Sequence, residues 1–476
     1  MKRMFLLVAA ALLAGGTCSR ADPTGTWLGT LDAGAARLRV AFNIRCEDGV
    51  LSATLDSPDQ GARGIPVAGV EFKGGKLTLD VAVVGGNFEG RLEGDRLSGR
   101  WRQGGGEFPL ELTRVDSVPA AERPQEPAPP YSYDSEDVTF GGPAGTIAGT
   151  LTRPAGEGPF TVVLLVSGSG QQNRDEEIYG HKPFLVLADH LTRQGFAVLR
   201  CDDRGVGGTT GDPSDATSED FALDAQAALD WLRARPEVAP GRVGIIGHSE
   251  GALIAAMLGA RAGGPDFVVL LAGTGVPGGR LLAAQGELLM RVGGATDAAV
   301  EANRRLQERL FAVVRRGLAP ESLVGVLKRA FEDELAAMSP GVRTELAAEL
   351  APAAVAAQVR ALASPWFRFF IDHDPARDLR RVKVPVLALT GSKDLQAPAA
   401  QNLPAIEAAL KAGGNRDHTV TELPGLNHLL QTARTGAVQE YAQIEETIAP
   451  AALEAIAGWL ARRAVANRRG RQSPAN

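Results

Sequence analysis

Two periods of apolar and polar residues divide the chain. Over residues 24–114 the alternation has a period of two, with Gly-rich breaks at short intervals. In 36–44 it sets Leu38, Val40, Phe42 and Ile44 on one face, and 76–83 repeats the pattern. Glu47-Asp48-Gly49, Lys73-Gly74-Gly75 and Gly94-Asp95 read as hairpin turns. The pattern predicts about eight short antiparallel strands, a small barrel or sandwich over residues 22–115. Trp27, Phe88 and Trp101 in it look exposed and could line a ligand groove, but core packing ranks above that role. No catalytic grouping and no identifiable ligand emerge from this stretch, which reads as a binding module or spacer.

Residues 116–130 are rich in proline and predict a semi-rigid linker. Beyond it, over 131–466, short β-branched runs alternate with helical patterns, as a mostly parallel sheet covered on both faces requires. Buried strands are predicted at 162–166, 196–200, 243–247, 267–271 and 384–389, with a last strand at 418–423. Helices are expected at 183–194, 221–235 and 451–463. Between the strands at 267–271 and 384–389 the chain turns Ala-, Leu-, Glu- and Arg-rich with helical periodicity. An insertion at that point of a parallel sheet overhangs the C-terminal strand ends, so it predicts a helical lid at about 280–375. The Arg-rich tail at 467–476 reads as disordered.

Composition narrows the class. The chain is 44% hydrophobic and 22% charged, with net charge −6 and no basic stripe, which argues for packed cores and against a nucleic-acid partner. Lys2 and Arg3 precede an apolar run over 5–14 that is too short to span a bilayer, and Ser19-Arg20-Ala21 offers a cleavage site. Residues 1–21 therefore read as a signal peptide, with export to the periplasm or medium and no transmembrane span. A lipid-modified Cys18 is the second choice, because Gly15-Gly16-Thr17 is a poor lead for it. Of the other cysteines, Cys46 and Cys201 fall in different domains, so no disulfide scaffold is expected. No metal-ligand spacing occurs, and neither a metal nor a cofactor is expected.

The chemistry centres on Gly247-His248-Ser249-Glu250-Gly251, set between an apolar strand and an apolar helix. Such a strand–turn–helix is tight enough to need residues almost free of side chain two places either side of the serine. Ser249 then projects at a strand end beside helix N-terminal amides. A serine hydroxyl needs a base, and the base an orienting acid. Asp394 in Gly391-Ser392-Lys393-Asp394 and His428 in Leu426-Asn427-His428 each follow a strand on the same sheet edge. Catalytic candidates are therefore Ser249, Asp394 and His428. For the oxyanion, the Glu250 amide is one candidate donor; Ser167-Gly168-Ser169-Gly170 offers the other, with Ser169 preferred to Gly170. His248 reads as a packing or orienting group, His190 as structural, and His181 as either near the site mouth or on the surface. Arg174-Asp175 and Asp202-Asp203-Arg204 read as loop braces. Gly273-Thr274-Gly275-Val276-Pro277-Gly278 matches a dinucleotide fingerprint literally, but Pro277 and the position within the sheet count against it.

With Ser167-Gly168-Ser169-Gly170, Asp203-Arg204-Gly205, the Gly247–Gly251 turn, Gly391-Ser392-Lys393-Asp394 and Asn427-His428 together, residues 131–466 resemble α/β-hydrolases. They are most similar to bacterial carboxylesterases grouped with the serine aminopeptidase-like hydrolases. The resemblance implies an α/β-hydrolase sheet with a helical lid after a small all-β domain. It also implies a small-molecule ester substrate cleaved through an acyl-enzyme. A peptidase or amidase with the same triad is the alternative, and a non-catalytic exported binding protein the third reading. The His-Gly-Gly-Pro-Gly run of prolyl aminopeptidases is absent here.

Overall fold

The computed structural model describes residues 22–32, 37–60, 62–103, 106–118, 122–347 and 349–470. The expected signal peptide and the final six residues lie outside them. Contacts divide the chain near residue 120 into two compact units.

The first unit is a single antiparallel sheet of nine strands: β1 (Gly25–Asp32), β2 (Arg37–Glu47), β3 (Val50–Ser57), β4 (Ala62–Pro66), β5 (Gly69–Lys73), β6 (Lys76–Val81), β7 (Gly86–Glu93), β8 (Arg96–Gln103) and β9 (Gly106–Val115). Their order is β4-β3-β2-β1-β9-β8-β7-β6-β5, so β9 pairs with β1 at the centre and the half-barrel leaves β4 and β5 at its edges. The period-two alternation does its work here: Val40, Phe42 and Ile44 of β2 are buried with Leu77 and Leu79 of β6. Trp27, Phe88 and Trp101 take the core-packing role ranked first for them and not the groove role, filling this core at 0, 0 and 4% exposure. Phe42 lies 5.7 Å from Phe88 and 6.2 Å from Trp101, centroid to centroid. Large rings are needed because one curled sheet has only its own inward side chains to fill its interior.

The second unit holds an eight-stranded sheet: β10 (Asp134–Gly142), β11 (Gly145–Arg153), β12 (Phe160–Val166), β13 (Ala197–Cys201), β14 (Val238–His248), β15 (Val268–Leu271), β16 (Val386–Gly391) and β17 (His418–Leu423). The order β10-β11-β13-β12-β14-β15-β16-β17 is antiparallel up to β13 and parallel from there on. The helices are α1 (Pro183–Arg193), α2 (Ser218–Arg233), α3 (Glu250–Gly259), α4 (Gly278–Val292), α5 (Asp297–Val314), α6 (Pro320–Ala337), α7 (Pro340–Glu345), α8 (Pro352–Ala363), α9 (Pro365–Asp372), α10 (Pro375–Leu379), α11 (Ala399–Ala412) and α12 (Pro450–Gly470).

Alternate residues of each strand serve opposite faces. Val162, Leu164, Ile245 and Leu270 pack under α2, α3, α10 and α11, while Val163, Leu165, Ile246 and Leu271 pack under α1 and α12. Burial on both sides explains why these strands read as continuous apolar runs. Helix α12 continues to Gly470, beyond Asn467, where the charge pattern predicted a disordered tail. Helices α4–α9 form an insertion between β15 and β16 with an apolar core of its own around Leu310, Leu323, Leu327 and Phe331. Proline in the first turn of α6, α7, α8 and α9 starts four of these helices without costing a needed N–H.

Residues 122–126 are fastened to the second unit. The Arg123 guanidinium donates to the carbonyl oxygens of Gly180, Ile444 and Ala442 at 2.9, 2.9 and 2.8 Å. Gln125 donates to Ile448 O at 2.7 Å and accepts from Ile448 N at 3.0 Å. Among the described residues no helix is long and apolar enough to cross a membrane.

Candidate active site

The turn between β14 and α3 is as tight as its sequence demands. A Cβ on Gly247 would sit 1.9 Å from Gly251 O, and one on Gly251 2.1 Å from Val166 O. Ser249 takes the left-handed φ of 54°, rare for a residue with a side chain and costing of order 1–3 kcal/mol. Its amide is anchored to Leu271 O of β15 at 2.9 Å.

From that position Ser249 Oγ donates to His428 Nε2 at 3.1 Å, and His428 Nδ1–H donates to Asp394 Oδ2 at 2.8 Å. The donor at Nδ1 leaves Nε2 with a lone pair, the tautomer a general base needs. Asp394 is 3% exposed, and its Oδ1 is held by the amides of Gln396 and Ala397 at 2.8 and 2.7 Å. Asn427 shapes the His428 loop by accepting from the amides of Leu429 and Gln431, both at 3.0 Å. The structure thus brings together the three side chains expected from separate strand ends.

Of the oxyanion candidates, Glu250 opens α3, where an amide has no preceding helical carbonyl to bond. Ser169 lines the same cleft as Ser249 and His428, of about 280 Å³, whereas Gly170 borders a second cavity behind the turn. That turn is braced from below. Asp203 accepts from Ser167 Oγ at 2.9 Å and from Gln172 N at 2.9 Å. Burial, reinforced by Glu176 and Glu250, outweighs these bonds and pushes its carboxyl up to about 7. Arg174 grips Asp202 at 2.7 Å, Arg204 grips Asp224 at 2.9 Å, and Arg200 pairs with Asp175.

Sequence reasoning passed over Glu176. It is 3% exposed, has a left-handed φ of 51°, and its Oε1 accepts from Gly168 N at 2.7 Å and from His248 Nδ1 at 2.9 Å. His248 Nε2 in turn donates to His428 O at 2.9 Å. Both ring nitrogens donate, so His248 is an imidazolium. Burial pulls its pKa down, but the Glu176 carboxylate outweighs that and raises it to about 9. His181 is neither at the cleft mouth nor on the surface. It is fully buried between Thr447 Oγ1 and Tyr441 O at 3.0 and 2.9 Å, and burial with nearby Arg123 depresses it to about 4. The dinucleotide-like turn is spent on packing, since Gly275 N donates to Asn402 Oδ1 at 3.0 Å and a Cβ there would meet Asn402 O at 2.5 Å. Cys46 and Cys201 are both free thiols, and burial pushes Cys201 up to about 12.

Known proteins resemble this chain over the same region. Esterase EstD of Thermotoga maritima is 28% identical over 305 residues, 63% of this chain and 61% of its own. The putative hydrolase YtaP of Bacillus subtilis is 32% identical over 115 residues, 21% of this chain and 38% of its own. The chain therefore spans less than two thirds of the length of these relatives. A solved esterase structure from Pyrococcus furiosus covers 70% of this chain and 92% of its own at 15% identity, with a TM-score of 0.42. The model of the family described as X-Pro dipeptidyl-peptidase (S15 family) matches residues 145–412, from β11 to the end of α11, and so takes in Ser249 and Asp394 but stops short of His428. With more than half of its length inside that match and the mixed sheet, elbow turn and strand-end loops described above, the chain belongs to the S15 family of α/β-hydrolases.

Proposed function

We propose that this protein is a serine hydrolase that cleaves carboxylic esters through an acyl-enzyme. The observation that carries the reading is the continuous hydrogen-bonded line from Ser249 Oγ through the His428 ring to Asp394. Ser249 Oγ bonds to the ester carbon as its proton passes to His428 Nε2, and the carbonyl electron pair moves onto the oxygen. That oxygen faces the amides of Glu250 and Ser169, whose N–H dipoles offset the developing charge. Asp394 keeps the imidazole oriented and stabilises it once protonated. Collapse breaks the bond to the alcohol oxygen, which takes the proton from Nε2. Water, deprotonated by His428, then releases the acid and restores Ser249. Helices α4–α9 act as the lid in this reading. Export to the periplasm or medium rests on the pattern of residues 1–21.

The likeness to esterase EstD supports ester over amide substrates. One observation favours the second reading, a peptidase with the same triad: the family description itself is that of a dipeptidyl-peptidase. A paired panel of short-chain p-nitrophenyl esters and aminoacyl-proline amides decides between them. Faster ester turnover that vanishes in Ser249→Ala is expected; faster amide turnover by the same serine would reverse the assignment.

A further inference from the structure

The mechanism above uses the backbone of Glu250 and leaves its carboxylate without a task. That carboxylate is 4% exposed, beside the nucleophile. Its Oε1 accepts two short hydrogen bonds, from Ser218 Oγ at 2.6 Å and from Trp366 Nε1 at 2.7 Å. Ser218 is the first residue of α2, against the sheet, and Trp366 belongs to α9 in the inserted helices. A single oxygen atom therefore ties the residue that follows the nucleophile to the insertion. At 2.7 Å the N–H···O bond is short, so the indole is held in one orientation. Its ring stacks on Phe370 one helical turn on, at 5.1 Å between centroids and 11° between planes. Trp366 and Phe370 line the cleft together with Leu281 and Leu282 of α4.

The chemistry of the triad says which part of an ester meets that wall. The tetrahedral carbon on Ser249 Oγ carries three other substituents. The oxyanion points to the amides of Glu250 and Ser169. The leaving oxygen must come within reach of His428 Nε2 to collect its proton, so the alcohol lies on the side of His428, where Leu429 and Gln396 line the cleft. The acyl group is left with the opposite side, beside Glu250, which is the aromatic pair.

We propose that Trp366, fixed by the Glu250 carboxylate, is the specificity-determining residue that limits the length of the acyl group, and that the acyl group accepted is uncharged and apolar. The inference rests on the serine-esterase reading given above. Stacked ring faces and two leucines desolvate an alkyl chain favourably, whereas a carboxylate-bearing acyl group would be stripped of water beside a buried carboxylate.

The test is an acyl series of p-nitrophenyl esters from acetate upward, run on the full chain, alongside acetate esters of alcohols of increasing size. Trp366→Ala is expected to move the kcat/KM optimum to longer acyl groups, raising the ratio of long-chain to acetate turnover about tenfold, the scale at which an apolar pocket discriminates. The alcohol series should keep its ranking. Trp366→Leu, with intermediate bulk, gives a smaller shift in the same direction and supplies the readout if the alanine variant fails to fold. An unmoved acyl profile in a variant whose Ser249 still takes up a fluorophosphonate would overturn the inference alone, as would a shift confined to the alcohol series. Absence of both labelling and ester turnover in the wild-type protein would instead remove the esterase reading on which it rests.

Discussion

His248 Nε2 donates a hydrogen bond to the backbone oxygen of His428 at 2.9 Å, linking the turn that carries Ser249 to the His428 loop across 180 residues of chain. On its other side the same ring meets Glu176, which also holds Gly168 in the Ser167–Gly170 turn. The loops that carry Gly168, Ser249 and His428 are therefore clasped by one buried ion pair.

The clasp predicts a pH dependence. His248 is raised in the folded state to about 9 from an ordinary value of 6.5. Its contribution to stability is fully present below 6.5 and is lost as pH rises through about 9. Resistance to urea should therefore fall between about pH 6.5 and 9, and activity should fall as pH passes through about 9, where the folded protein loses the imidazolium. In Glu176→Gln the imidazole loses its counter-charge and burial dominates, so the folded-state value drops below the ordinary one: the decline in activity should move to lower pH and the decline in urea resistance with rising pH should disappear, with kcat reduced more than KM is changed. A pH–rate profile of the variant that superimposes on the wild-type profile would contradict this role.

Asp394→Asn keeps the shape of the acid and removes its charge. The amide can present its N–H to His428 Nδ1 and favour the wrong tautomer, so kcat should fall by about 10⁴ while folding is retained. Steady-state kinetics with a melting curve checks both halves.

At Gly251 an added methyl group has nowhere to go, since it would stand 2.1 Å from Val166 O and 2.6 Å from Ser167 O. Those are backbone atoms of β12 and the turn after it, which cannot swing aside like a long side chain. Gly251→Ala should destabilise the fold by about 3 kcal/mol or more, read by chemical denaturation.

Arg123 donates to three carbonyls, two of them in the 442–444 stretch. Arg123→Ala should cost about 1–2 kcal/mol, because the carbonyl of buried Ala442 loses its donor and those of Ile444 and Gly180 lose theirs nearer the surface. Hydrogen exchange at 440–448 should rise in step, and unchanged exchange there would contradict the docking.

What could be read from the chain alone was whatever short-range constraint leaves a local mark. The elbow was legible because a sharp turn forces glycine at Gly247 and Gly251, and the sheet because burial on both faces produces uninterrupted apolar runs. Asp394 and His428 were legible through their places after strands. Glu176 was not, for it stands 72 residues from His248 and its backbone strain has no sequence signature. Trp366 was likewise hidden: one aromatic in a helical insertion looks like any core residue until its indole N–H is seen on Glu250, 116 positions away. For the N-terminal aromatics core packing was already the preferred reading, and they are buried, although which strands enclose them depends on pairings far away in sequence.

The central claim is that Ser249 is the nucleophile activated by His428, and active-site labelling tests it most directly. Treatment with a fluorophosphonate followed by peptide mass mapping should find one adduct, on the peptide containing Ser249, and His428→Ala should slow its formation by about 10³ or more. An adduct on another serine, or no adduct on folded wild-type protein, would contradict the account.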